Sequence, residues 1–235
     1  MTNIVVGILN HNRFDRLQIT VESIVKSLEA MPGCVKFVLH DNGSNPFNQY
    51  KIRTELSQHF TMIEWSKENL GIGAGINSLH SMARKLEANY YLHLENDWQC
   101  KHKDPNWFLA AVEILQTQSK IGIVKLRIEN DGQYEMHTAN VLNGTAEFYS
   151  PWWLNPMPNY VKKDICSNGL MYYYALLKKG YTNNPHLLKM DMIKDWKFDD
   201  AVKGYGKEEE LVENTPGLEG WYTANLEHGV FKHIG

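Results

Sequence analysis

Two carboxylates separated by one residue close an apolar run in YLHLENDWQC, residues 91–100. In an extended strand alternate side chains share a face, so Glu95 and Asp97 are expected to leave the strand on one side and Asn96 on the other. Anions placed in this way repel each other unless a cation lies between them. Oxygen donors of this kind suit a hard divalent ion such as Mg2+ or Mn2+, which keeps positions open for phosphate oxygens. A solvated turn, with Asp97 capping the next segment, is the plainer account of the same residues.

Four other stretches carry comparable double meanings. In HDNGS, residues 40–44, Asp41 and Asn42 before a glycine make a natural turn, and a carboxylate at a strand end can also accept hydrogen bonds from a ribose or nucleobase. NLGIGAGIN, residues 69–77, places glycines at a strand-to-helix junction, where bare backbone can cradle an anion or let a helix pack closely on a sheet. Its spacing is neither the dinucleotide GxGxxG nor a P-loop. GYGKEEEL, residues 204–211, reads as an acid-rich helix start or as the source of a general base. Near the end, EHGVFKHIG carries His228 and His233; an imidazole brought beside the carboxylates would give a mixed nitrogen and oxygen metal site. His93, inside the apolar run, is expected to be buried and structural.

The elements that must position these residues follow from hydrophobic periodicity. The apolar run from Ile4 to Leu9 and those within CVKFVLHDNGS, FTMIEWSKENLGIG, ANYYLHLENDW and IGIVKLRI have strand length, and helical patterns follow the first in FDRLQITVESIVKSLEAM, cover 74–86 and cover 107–117. Such alternation implies right-handed crossovers and a mostly parallel sheet with helices on both faces. Ligands of these sheets bind beyond the carboxyl ends of the strands, where this chain carries NHNR, HDNGS, KENLGIG and ENDW. After Arg127 the alternation fails. Residues 132–149 suggest a hairpin turning at Asn143-Gly144, SPWWLNPMPNY a rigid aromatic loop, and SNGLMYYYALLKKGY a turn followed by a helix ending before Gly180. We expect one domain with an elaborated second half.

Composition narrows the class further. With 43% hydrophobic residues the chain can build a substantial core, and its formal charge of -3 supplies no general attraction to polyanions. Three scattered cysteines argue against a disulfide framework. No window approaches the roughly 20 apolar residues of a membrane span, and MTNIVVGILN lacks a basic leader. The expectation is a cytoplasmic protein.

Taken in order, these motifs resemble those of GT-A glycosyltransferases, particularly family-2-like members. The resemblance rests on Asn12-Arg13 after the first strand, Asp41 to Ser44 after the second, NLGIGAGIN, and ENDW as a DxD-type element with glutamate at its first position. It continues in GYGKEEEL, which is similar to a G-W-G-x-E-D element, and in FKHIG. The resemblance implies an α/β GT-A fold, a mostly parallel central sheet flanked by helices with a small antiparallel hairpin, and a nucleotide-diphosphate sugar as donor. It assigns Asn12, Arg13 and Asp41 to the nucleotide pocket, with Asn69, Gly71 and Asn77 nearby and Asn10 and Asn96 on the same rim. Asp97 is the principal ligand of Mn2+ or Mg2+. Glu95 binds ribose or reaches the metal through water. His233 is the other ligand, with His228 in reserve. Glu209 takes the place of the general base, beside Glu208.

The function so implied is metal-dependent transfer of a sugar to an acceptor hydroxyl, by an inverting route if Glu209 serves as base. The acceptor stays open between a glycan, a protein and a modified base in DNA. A catalytically silent nucleotide-binding module of the same fold is the alternative.

Overall fold

The computed structural model describes residues 3–31, 33–128, 161–175, 183–194, 196–198 and 221–235. β1 (Ile4–Asn10) is buried at every position because both faces of the sheet are covered. Ile4, Val6 and Ile8 join the core on one face, and Val5 and Leu9 join the core on the other. α1 (Phe14–Leu28) puts Leu17, Val21, Ile24 and Leu28 into the first core, one stripe at helical spacing. β2 (Val35–Asp41) and β3 (Met62–Trp65) continue the parallel sheet outward from β1. Between them α2 (Pro46–Lys51) runs through a short π turn into a 3-10 turn ending at His59.

α3 (Ile72–Lys85) covers the second face with Ile76, Leu79 and Met82. The glycine run at its start serves packing, since a Cβ on Gly75 would lie 2.4 Å from Leu9 Cδ1. β4 (Tyr90–Glu95) lies parallel to β1, and after a two-residue turn comes β5 (Trp98–Cys100). α4 (Asn106–Thr117) packs Trp107, Phe108, Ile114 and Leu115 into the first core, and β6 (Ile121–Lys125) follows.

The remaining strands are β7 (Val161–Ile165), β8 (Met171–Ala175), β9 (His186–Lys189), β10 (Tyr222–Leu226) and β11 (Phe231–His233). The main sheet runs β3-β2-β1-β4-β9-β6-β10-β8-β7. β1 to β4 are parallel to one another, β10 is parallel to β6, and β9 enters antiparallel between β4 and β6. The stretch expected as a turn and a helix after Ser167 is a turn followed by a strand. Met171 to Ala175 pair with β10 on one side and β7 on the other. A short aromatic run cannot choose between helix and strand by its own period, and the two open edges beside it decide. The expected hairpin at 132–149 and the loop at 150–160 lie outside the described residues. The small antiparallel sheet among the described residues is β5 with β11. No helix among these residues is long and apolar enough to cross a membrane.

The second core contains an unusual set of imidazoles. His80 of α3 meets Tyr91 edge-on at 5.0 Å, Tyr91 Oη lies 3.1 Å from His93 Nδ1, and His93 stacks on His186 at 5.4 Å. His80 and His93 are almost fully excluded from solvent, and both ring nitrogens of His80 and Nε2 of His93 lack a hydrogen-bond partner among the described residues. Burial, reinforced by charge on neighbouring groups, lowers His80 to about 3 and holds His93 well below 6.5. Both stay neutral in the fold, while the unfolded chain takes up protons below 6.5. Stability is therefore complete above that pH and falls as pH drops toward 3. Each imidazole contributes up to about 1.4 kcal/mol per pH unit in that window. Urea midpoints measured at about pH 7.5 and 5.5 are expected to show a marked acid loss, and His80→Leu to reduce that loss.

Candidate active site

Parallel register brings the strand ends to one edge, with Asn10 opposite Asp41 and Leu9 opposite Glu95. Beyond Asn10 the chain turns through Asn12 and Arg13, both left-handed with φ of 54°. For non-glycine residues this costs about 1–2 kcal/mol each, so neighbouring groups must hold it. Asn12 N donates to Ser44 Oγ at 2.6 Å, Asn45 N donates to Asn12 Oδ1 at 3.0 Å, and Asn96 Nδ2 donates to Asn12 O at 3.4 Å. Arg13 O accepts from the backbone N–H groups of Arg16 and Leu17, which starts α1 without a side-chain cap.

Beneath this turn runs a buried chain of neutral donors and one carboxylate. Ser44 N donates to Asp41 Oδ1 at 2.8 Å, and Asn10 Nδ2 donates to Asp41 Oδ2 at 3.3 Å. Asn96 Nδ2 donates to Asn10 Oδ1 at 2.7 Å. Asn10 and Asp41 are wholly buried, so in this arrangement they tie the ends of β1, β2 and β4 together. His40, one residue before Asp41, is lowered from its ordinary value chiefly by burial, against the raising charges of Glu64 and Asp41.

Asn42 does the same for the next loop. Its amide donates to Asn69 Oδ1 and Gly71 O, and its Oδ1 accepts from Leu70 N. Gly43, at φ +75°, lets the two loops touch: a Cβ there would lie 2.2 Å from the carbonyl carbon of Glu68. Asn69 and Gly71 thus belong to a loop fastened to the Asp41 turn. Asn77 stands elsewhere, clasping the Phe198 backbone through Nδ2 to O at 2.7 Å and N to Oδ1 at 2.8 Å.

The strand ends at Glu95, and residues 96 and 97 form a turn, so strict alternation stops short of Asp97. Glu95 closes β4 and Asp97 is aimed by the turn. Asp97 Oδ2 accepts from Arg13 Nη1 at 3.0 Å, and His233 Nε2 lies 3.4 Å from the same oxygen. Pairing of β11 with β5 sets His233 opposite Trp98, the rings 4.8 Å apart, and Ile234 N donates to Asp97 O at 2.9 Å. The Arg127 guanidinium lies 5.3 Å from the Trp98 ring on the same element. His228, largely exposed, pairs instead with Glu227 at 3.5 Å. Glu208 and Glu209 lie outside the described residues.

Asp97 Oδ1 is shielded from solvent and has no hydrogen-bond partner among the described residues, an uncommon state for a carboxylate oxygen. One carboxylate and one imidazole form a donor set that suits Mn2+ and related divalent ions. Among the described residues no cluster of three or more His, Cys, Asp and Glu could hold a metal, so the described residues offer an ion here Asp97 and His233 and leave its other positions open. His11 and Asn45 join this site without having been singled out, and Ser44, named only as the end of its motif, joins it with them, since their roles are contacts with backbone or through backbone across strand ends.

No protein-family model and no curated protein matches the chain. Solved structures do. Residues 1–349 of TarS from S. aureus share 12% identity at a TM-score of 0.66, with 99% of this chain and 60% of that one covered. The mannosyltransferase PcManGT from Pyrobaculum calidifontis, solved with GDP-Man and Mn2+, gives 11% and 0.65, covering 99% of this chain and 56% of that one. GalNAc-T7 with UDP, GalNAc and Mn2+ gives 13% and 0.64, covering 100% of this chain and 44% of that one. The chain spans 60% or less of the length of each. At such identities the likeness establishes the fold, and the expected GT-A architecture is the one observed.

Removing Asn10 leaves Asp41 Oδ2 and the Asn96 amide buried without this partner. Asn10→Ala is expected to lower unfolding free energy by about 2–4 kcal/mol. Asn77→Ala, which frees two backbone groups nearer the surface, should cost less, about 1–2 kcal/mol. Denaturant titration of both variants checks the order.

Proposed function

We propose that the chain is a glycosyltransferase that moves a sugar from a nucleoside-diphosphate sugar to an acceptor hydroxyl with the help of a divalent ion. The observation that carries this reading is the meeting of Asp97, His233 and Arg13 at the carboxyl edge of a GT-A sheet, within a contact network of 3.0–3.4 Å. Ions and nucleotides named with the similar structures, Mn2+ with GDP-Man and Mn2+ with UDP, agree with that chemistry. Asp97 and His233 are the residues that would hold the ion. When bound, the ion would supply Lewis-acid stabilisation of charge on the leaving diphosphate.

The protein's own groups do the rest. Asn12 and Arg13 border the diphosphate, where a guanidinium makes strong charge-assisted bonds to phosphate oxygens. The rim formed by the Asp41 turn and the Asn69 to Gly71 loop borders the nucleoside. In an inverting reaction Glu209 takes the proton from the acceptor hydroxyl as it attacks, with Glu208 beside it. The aromatic-rich stretch at 150–160 is a candidate acceptor platform, since flat rings stack on sugars.

Two variants test the reading. Asp97→Ala is expected to weaken Mn2+-dependent binding of the nucleotide by at least about tenfold in calorimetry; equal binding by both proteins removes Asp97 from the metal site. Glu209→Gln should bind donor normally while turnover falls about 100-fold or more. Full turnover would hand the base to Glu208 or Glu210.

A further inference from the structure

We infer that Arg13 is a movable competitor for Asp97, a guanidinium that must give up Oδ2 to a divalent ion and that is drawn off by the donor's diphosphate, so that ion and nucleotide bind cooperatively through it. The inference rests on the transferase reading above and deepens it.

Three observations meet here. First, Arg13 Nη1 is 3.0 Å from Asp97 Oδ2, the oxygen that His233 Nε2 also approaches, at 3.4 Å. A cation bound between Asp97 and His233 would take lone pairs on which the guanidinium already sits and would add two positive charges beside it. The two cations therefore oppose one another at close range. Second, the two partners differ in freedom. The Asp97 side chain is 8% exposed and tied through its backbone to Ile234, while the Arg13 side chain is 55% exposed. Arg13 is the partner able to move. Third, its starting point is fixed. Consecutive left-handed residues at 12 and 13 launch the side chain toward Asp97, held there by Ser44, Asn45 and Asn96. Backbone strain that neighbouring loops maintain is a mark of functional positions.

The consequence is thermodynamic. Arg13 lowers the affinity of the site for the ion alone, and a bound diphosphate relieves this by offering the guanidinium its own oxygens. By reciprocity the ion raises affinity for the diphosphate by the same factor. Without the guanidinium the ion should bind well by itself and gain little from the nucleotide.

The experiment titrates Mn2+ into the intact chain, reading free ion by its electron paramagnetic resonance, with and without UDP and GDP. Wild type should bind Mn2+ weakly alone and about tenfold or more tightly with one of the nucleotides. Arg13→Gln should bind Mn2+ alone about tenfold more tightly than wild type and lose most of the coupling. Its melting temperature should also rise further with Mn2+ alone, because the ion repairs an unpaired carboxylate. Arg13→Met repeats the measurement should the glutamine variant not fold. If the variants bind Mn2+ alone no better than wild type, or keep the full coupling, Arg13 is no competitor, although the transferase reading stands. If wild type binds Mn2+ under neither condition, both fall together.

Discussion

Everything at the candidate site hangs from the buried hydrogen-bond chain Asp41–Asn10–Asn96. Parallel pairing aligns strands but leaves their carboxyl ends as separate loops with unpaired polar groups. Here Asn10 carries bonds to its neighbours on both sides, accepting from Asn96 and donating to Asp41 and Ser44. In a site closed to water such bonds are strong when complete and costly when broken. The strained turn at Asn12 and Arg13 is held by the same set, since Ser44 and Asn96 each reach from that chain to the Asn12 backbone.

A second constraint comes from the far end of the described chain. β11 does not join the main sheet; it pairs with the three-residue β5 and delivers His233 beside Asp97. The residues separated by 136 positions meet because Val230 and Phe231 are buried under the first core and Trp107 stacks edge-on against Phe231 at 5.5 Å. Burial of apolar side chains thus sets the position of a polar one. The small sheet is what converts a strand exit into a site with a nitrogen donor.

The first half of the fold was legible because both of its periodicities are strong. Continuous apolar runs announced strands covered on two faces, and α1, α3 and α4 showed their stripes. The turn ending β4 was not legible: the strand closes at Glu95, and Asn96 and Asp97 form a turn in which the Asn96 amide reaches Asn10. Met171 to Ala175 misled for a related reason, since pairing partners lie far away in sequence. The motifs fall at the strand ends, but residue type alone did not show which of their side chains are spent on structure. Asn77 illustrates this, its type suited to a ligand and its contacts spent on the Phe198 backbone.

Two aspartates, Asp41 at the end of β2 and Asp97 in the turn after β4, show how environment separates such roles. Asp41 has both carboxylate oxygens met by neutral donors, the Ser44 N–H and the Asn10 amide, and is wholly buried. An outside group that bonded to it would share oxygens that already link the strands. Asp97 is arranged in the opposite way. Its contacts converge on one oxygen and involve a half-exposed guanidinium and an imidazole, while the other oxygen stays unpaired among the described residues. A buried carboxylate kept with spare valence is poorly explained by stability, because a neutral side chain of similar size would avoid the desolvation altogether. Its place at the carboxyl edge, where open α/β sheets take their ligands, fits the divalent ion proposed above.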